Sequence, residues 1–122
     1  MKVLVDTPIW IDHLHRGDST LHRLLLADAV CVATPVLGEL AAGNLPDRQR
    51  TLADLRLLSR LEEPPPEKVL DWIERHRVGG KGLSWVDWLL LAIAEHNKVP
   101  IYTRDRVLAR FAANLKLGFA RS

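Results

Sequence analysis

VLVDTPIW at residues 3–10 and VCVATPVL at residues 30–37 carry one unit twice: a short apolar run, a single small or acidic residue, then Thr-Pro. Runs of three or four apolar residues stopped this sharply read as strands buried on both faces of a parallel sheet. Thr7 and Thr34 are candidate N-caps, and Pro8 and Pro35 suit the first helical position because proline has no N–H to lose there. Strand followed at once by helix, twice, predicts an α/β domain with right-handed crossovers.

Working outward, Ile9, Trp10 and Leu14 continue the first helix until Gly17, and Ser19 is placed to cap a second through Leu21, Leu24 and Leu25. Helical spacing returns at Leu52, Leu55 and Leu58, within a stretch that also carries Arg48, Arg50 and Arg56. Pro64, Pro65 and Pro66 end a short extended segment and start a helix over roughly 67–77. Ser84 caps the most apolar helix, from Trp85 to about Asn97, whose LLLAIA run predicts burial on several sides. Residues 99–102 form a third strand candidate, Thr103 caps a helix through Val107, Leu108 and Phe111, and residues 115–119 are a candidate final strand. The whole chain, 1–122, reads as one domain.

Composition narrows the function classes. At 122 residues with 48% hydrophobic and 26% charged content, the chain has a globular composition and no room for a separate cofactor domain. Lys and Arg total 17 against 15 for Asp and Glu, too even a balance to announce a polyanion binder by charge alone. Cys31 is the sole cysteine, so disulfides and cysteine-based zinc sites are excluded and a reducing cytoplasm is the expected location. The longest apolar run, Leu89 to Ala94, is far short of a membrane span, and the N-terminal apolar run stops at Asp6, too soon for a secretory signal.

Ligands of open parallel sheets bind beyond the carboxyl ends of the strands, which directs attention to acids at strand-to-helix junctions. Asp6 ends the first strand, Glu39 lies one turn into the helix after the second, and Asp105 follows the third. Asp87 joins them if the helix starting at Ser84 begins on the same edge. Two carboxylates about 5 Å apart repel by roughly 3 kcal/mol at an effective dielectric of 20, so such a cluster calls for a cation. Oxygen ligands without Cys or an ordered His set favour Mg²⁺ or Mn²⁺, which bind a few carboxylates alongside water and phosphate. That points to metal-assisted phosphodiester hydrolysis. Each acid also has a plainer reading: Ser84-x-x-Asp87 matches a capping box, Asp105 a favourable charge in a first helical turn, and Glu39 a solvated face.

VLVDTPIWID at 3–12, VLGELAAG at 36–43 and LSWVDWLLLAIAEHNKVPIYTRD at 83–105 resemble, in order and spacing, the successive blocks of PIN-domain ribonucleases, and most closely the VapC toxins of bacterial toxin–antitoxin pairs. The resemblance spans nearly the whole chain. It implies a three-layer α/β/α fold around a mostly parallel sheet of four to five strands. It also implies a Mg²⁺- or Mn²⁺-dependent endoribonuclease with Asp6, Glu39, Asp87 and Asp105 as catalytic and metal-binding acids. Thr7 is implied as a hydroxyl partner in the site, with Thr103 and Ser84 in support. A homodimer and an inhibitory antitoxin are implied as well. One departure is visible: relatives often carry a further acid two residues after the position of Asp105, where this chain has Val107.

Arg104 and Arg106 bracket Asp105 and are candidates for RNA phosphate contacts, as is Lys81 in the Gly79–Gly82 loop, which lacks a phosphate-loop pattern. Arg48, Arg50, Arg56 and Arg60 form a looser basic stretch. His13, His15 and His22 lack metal-ligand spacing and read as surface histidines. Trp10, Trp72, Trp85 and Trp88 read as core and interface residues, but Trp85 and Trp88 flank Asp87 and cannot all face the same way, which leaves one to be exposed near the site or at a dimer contact. Two competing readings are a non-catalytic RNA-binding or interaction module of the same fold and a receiver-type phosphoacceptor domain. The receiver reading expects adjacent acids after the first strand, whereas Asp6 stands between Val5 and Thr7.

Overall fold

The computed structural model describes residues 1–78 and 82–120. Gly79, Gly80 and Lys81 lie outside them, and with them the candidate phosphate contact at Lys81. In chain order the elements are β1 (Val3–Val5), α1 (Thr7–Arg16), α2 (Ser19–Leu26), β2 (Val30–Val32), α3 (Thr34–Ala42), α4 (Arg48–Arg56), β3 (Ser59–Arg60), α5 (Pro66–His76), α6 (Trp85–Asn97), β4 (Ile101–Tyr102) and α7 (Arg106–Asn114). The four strands form one parallel sheet in the order β3-β2-β1-β4. With helices on both faces this is the expected three-layer α/β/α arrangement. Among the described residues no helix is long and apolar enough to cross a membrane.

The sheet is short but dry. Every residue of β1, β2 and β4 is buried, which is why each reads as a continuous apolar run rather than an alternating one. Register pairs Val3 with Val30 on one side of β1 and Leu4 with Ile101 on the other. β3 was visible in the sequence only as an extended segment, because Ser59 and Arg60 are exposed and polar at the sheet edge. Residues 115–119 make a single bridge, Gly118 to Ile101, rather than a fifth strand, although the Ile101 N–H still donates to Leu117 O at 2.9 Å. Helix α6 buries Leu90, Leu91, Ala92, Ile93 and Ala94 in succession, as its unbroken hydropathy predicts.

Strand order locates the site. From β1 the chain steps to β2 and β3 in one direction, then returns past β1 to place β4 on its other side. The reversal leaves a crevice at the carboxyl ends of β1 and β4, the switch point where open α/β sheets bind ligands. Asp6 and Thr103 are the first residues beyond those two strands, and the Asp6 N–H donates to Tyr102 O at 2.9 Å.

Several expected caps are shifted by one or two residues. Asp6, not Thr7, caps α1: its Oδ1 accepts from the Thr7 N–H at 2.9 Å. Asp18, not Ser19, caps α2, accepting from the Leu21 N–H at 2.8 Å. Asp105, not Thr103, caps α7, while α3 begins after Ala33 with no side-chain cap, so Thr34 does not cap it. The reason is common to the three acidic cases: a carboxylate at the last extended residue accepts helix N–H groups and favours the positive helix end. Gly17 ends α1 at φ +86°, a conformation costly for residues with a Cβ.

Candidate active site

Asp6 is the centre of the constellation. It is 6% exposed, and both its carboxylate oxygens are held: Oδ1 by the Thr7 N–H and Oδ2 by the Thr103 hydroxyl at 2.7 Å. Burial pushes its pKa above the ordinary carboxylate value, the two hydrogen bonds pull it down, and the charges of Asp87 and Glu39 push it up again. The net direction is upward. Asp6 is thus a buried acid in reach of two more acids, with no cationic side chain among the described residues acting on it.

Hydrogen bonds tie the surrounding groups to it. The Thr7 hydroxyl donates to Glu39 Oε1 at 2.6 Å, joining the first turn of α1 to α3. Thr103 Oγ1, while donating to Asp6, accepts from the Asp105 N–H at 3.0 Å. Asp105 Oδ1 accepts from the N–H groups of Val107 and Leu108 at 2.9 and 3.0 Å. At α6 the capping box is real: Ser84 N–H donates to Asp87 Oδ2 at 3.0 Å, and Asp87 N–H donates to Ser84 Oγ at 3.2 Å. Helix capping and proximity to Asp6 are therefore compatible at Asp87, since the cap holds its carboxylate in the first turn.

The structure brings Asp6, Glu39 and Asp87 within electrostatic reach, and links Asp105 to Asp6 only through the Thr103 hydroxyl. Among the described residues no three His, Cys, Asp or Glu side chains converge as a ready-made metal cage. The donor set still suits a hard cation. One oxygen each of Glu39, Asp87 and Asp105 has no hydrogen-bond partner among the described residues. All are oxygen donors, beside two threonine hydroxyls. Too few carboxylates to enclose an ion, with oxygens to spare, fit a small divalent cation that keeps water and phosphate in its coordination sphere.

Arg104 does not face this cluster as expected. Its guanidinium is bound by the carboxylates of Asp12 in α1 and Asp18 at the start of α2. Asp18 also accepts from the Tyr102 hydroxyl at 3.0 Å, so strand β4, the loop after it and the α1–α2 corner are locked together. Asp12 and Asp18 were missed in the sequence. The signal for Asp18 was Asp-Ser-Thr-Leu directly after Gly17, in which the acid is as good a cap as the serine. Of the basic stretch, Arg48 is committed to the carbonyls of Ala41 and Gly43, and Arg60 reaches Thr34 Oγ1 at 3.4 Å. Trp10, Trp72 and Trp88 are buried, Trp85 is exposed, and His13 accepts from the Asp18 N–H at 3.1 Å.

Comparison with known proteins agrees with this architecture. The PIN domain family model matches residues 3–114. Ribonuclease VapC32 from two strains of Mycobacterium tuberculosis, CDC 1551 / Oshkosh and H37Rv, is 34% identical over 119 residues, covering 97% of this chain and 96% of the relative. The crystal structure of PAE2754 from Pyrobaculum aerophilum superposes with a TM-score of 0.64 at 17% identity, over 91% of this chain and 84% of that one, a likeness of fold. With a family model over nearly the full chain and a relative of matching length, this chain belongs to the PIN-domain family as a VapC-like member.

Proposed function

We propose that the chain is a metal-dependent endoribonuclease that hydrolyses RNA phosphodiester bonds and acts as the toxin of a toxin–antitoxin pair. The observation that carries this reading is the environment of Asp6: a buried carboxylate whose pKa is raised by burial and by Asp87 and Glu39, with no cationic side chain among the described residues acting on it. The similarity to ribonuclease VapC32 supports the same reading. A structural cap has no need of two further acids, and the non-catalytic alternative leaves their repulsion without a purpose.

Asp6, Glu39 and Asp87 are the residues that would hold Mg²⁺ or Mn²⁺, with Asp105 joined to Asp6 through the Thr103 hydroxyl. When bound, such a cation would supply Lewis acidity, activating water and offsetting phosphate charge. The chain's own residues supply placement. The Thr7 N–H and the Thr103 hydroxyl fix both oxygens of Asp6, so the acid cannot rotate away from the crevice. The Thr7 hydroxyl orients Glu39 through Oε1 and leaves Oε2 to accept a proton from water. The Ser84–Asp87 cap holds Asp87 in one rotamer at the edge of the site. An antitoxin would block such a site most directly by inserting an Arg or Lys among the carboxylates in place of the cation. Homodimerisation and a cytoplasmic location belong to the same proposal.

The test is cleavage of end-labelled RNA by the purified chain in Mg²⁺, Mn²⁺ or EDTA. Asp6→Asn, Glu39→Gln and Asp87→Asn should each nearly abolish cation-dependent cleavage while the fold persists, and Asp105→Asn should cost less. Full activity in EDTA refutes the metal dependence, and wild-type rates in the acid variants refute the site.

A further inference from the structure

Three of the four tryptophans have evident packing roles. Trp10 is buried in the core, while Trp72 meets Trp88 edge to face and Trp88 meets Phe111 the same way, binding α5, α6 and α7 together. Trp85 differs: it is the first residue of α6 and is 49% exposed. A large ring left half in water keeps part of its surface open to a ligand. It lies two residues before Asp87, whose charge is felt at Asp6.

The helix packed against α6 carries two exposed arginines. The segment entering α6 runs against the first turn of α7, where a Cβ at Gly82 would sit 3.8 Å from Val107 Cγ2. On α7, Arg106 and Arg110 are both exposed and one helical turn apart, so they share a face. Neither has an ion pair or hydrogen bond among the described residues. Three other arginines are paired: Arg104 with Asp12 and Asp18, Arg16 with Asp12, and Arg77 with Glu74. Trp88, one turn after Trp85, meets Phe111, the residue after Arg110, so an exposed ring at the start of α6 and two guanidinium groups without a partner among the described residues lie on neighbouring helices.

We propose that Trp85, Arg106 and Arg110 form a binding subsite for a single-stranded RNA segment flanking the acid cluster. Trp85 stacks on one unpaired base, and the two guanidinium groups hold phosphates of the neighbouring nucleotides. The inference rests on the ribonuclease reading and extends it by stating where the strand lies. A paired helix would not serve, because its bases are already stacked on one another. Stacking tolerates any base, so this subsite sets the position and strandedness of the substrate and leaves base identity to other contacts.

The experiment is fluorescence anisotropy of a short, unstructured, fluorescein-labelled RNA titrated with the full chain in EDTA, at several salt concentrations. Trp85→Ala should weaken binding about ten-fold at every salt concentration with an unchanged salt slope, and Trp85→Phe should restore most of the affinity. Arg106→Ala and Arg110→Ala should each flatten the slope of log K against log salt by about 0.7, the signature of one phosphate contact on a single strand. The same RNA annealed to its complement should lose the dependence on Trp85. Wild-type affinity in Trp85→Ala overturns the stacking role, and an unchanged slope in the arginine variants overturns the phosphate contacts. If Trp85→Ala instead alters only the sedimentation coefficient, the ring is a contact between copies and the proposal falls. Acid-dependent cleavage with unaltered binding by all three variants removes the subsite and leaves the ribonuclease reading standing. Trp85-dependent binding without cleavage in any metal does the reverse, and a wild type that binds no RNA removes both.

Discussion

Replacing Asp6 by Asn separates a metal-site acid from a helix cap by its effect on stability. Asn keeps an Oδ1 acceptor for the Thr7 N–H and puts an NH₂ donor where Oδ2 was. The Thr103 hydroxyl must then accept rather than donate, which its second lone pair allows, at a cost of about 1 kcal/mol for the altered bond. Against this, the substitution removes a buried charge and its repulsion from Asp87 and Glu39. The raised pKa of Asp6 says that the folded site favours the neutral form more than water does, hydrogen bonds included, and Asn copies that form. Asp6→Asn should therefore melt above wild type in EDTA at neutral pH. For 122 residues an unfolding entropy of about 0.26 kcal/mol/K makes each kcal/mol worth about 4 °C. Adding Mg²⁺ or Mn²⁺ to a hundred times its dissociation constant stabilises wild type by about 2.7 kcal/mol, or about 10 °C, and should leave the variant almost unmoved, reversing the order. The pH dependence has a defined sign. With a folded-state pKa above the ordinary 3.8, Asp6 contributes stability that is present below pH 3.8 and lost as pH rises through the folded value. The advantage of Asp6→Asn in EDTA should open with rising pH and close below about pH 4. Paired thermal melts by circular dichroism supply the data. An Asp6→Asn variant destabilised equally with and without metal would mark Asp6 as a cap alone and refute the argument.

Three further outcomes are expected. Arg104→Ala removes one guanidinium partner of Asp18, whose side chain is 5% exposed, and one of Asp12; because Arg104 itself is 43% exposed, the expected loss is about 1 kcal/mol, or about 4 °C, read by thermal melting. Thr7→Val removes the hydroxyl that orients Glu39 and should lower kcat for RNA cleavage about ten- to a hundred-fold with little change in Tm, while Thr7→Ser recovers most of it. Ser84→Ala opens the α6 capping box and should cost about 1 kcal/mol in urea denaturation, with a smaller loss of activity than Asp87→Asn.

Cys31 shows how far composition alone carries. A single thiol excludes disulfide and cysteine–zinc chemistry, and its burial in β2 pushes the thiol pKa up to about 11, far from a reactive thiolate. The strands and most helix bodies were equally legible, because continuous apolar runs such as residues 3–5 and the LLLAIA of α6 have one economical use in a domain of this size. Asp6, Glu39 and Asp105 could be picked out as acids at or soon after strand-to-helix junctions, since β1, β2 and β4 precede them in the chain, whereas Asp87 follows no strand and joined them only on the condition that α6 starts at the same edge. Their grouping could not, because it depends on strand order, which chain order does not specify.

Only the tertiary structure decided the partners. Thr103 looked like a helix cap and instead bridges Asp6 to Asp105 across the switch point, 97 residues from Asp6 in the chain. Arg104 looked free for RNA and is consumed by Asp12 and Asp18, while the exposure of Trp85 rather than Trp88 depended on which side of α6 meets α5 and α7. Strand and helix identity follow from local hydropathy and backbone preference, which neighbouring residues carry. Pairing of a polar side chain is settled by whichever group the fold brings to it, and a long, flexible Arg or a Thr hydroxyl can satisfy several partners equally well until packing leaves one within reach.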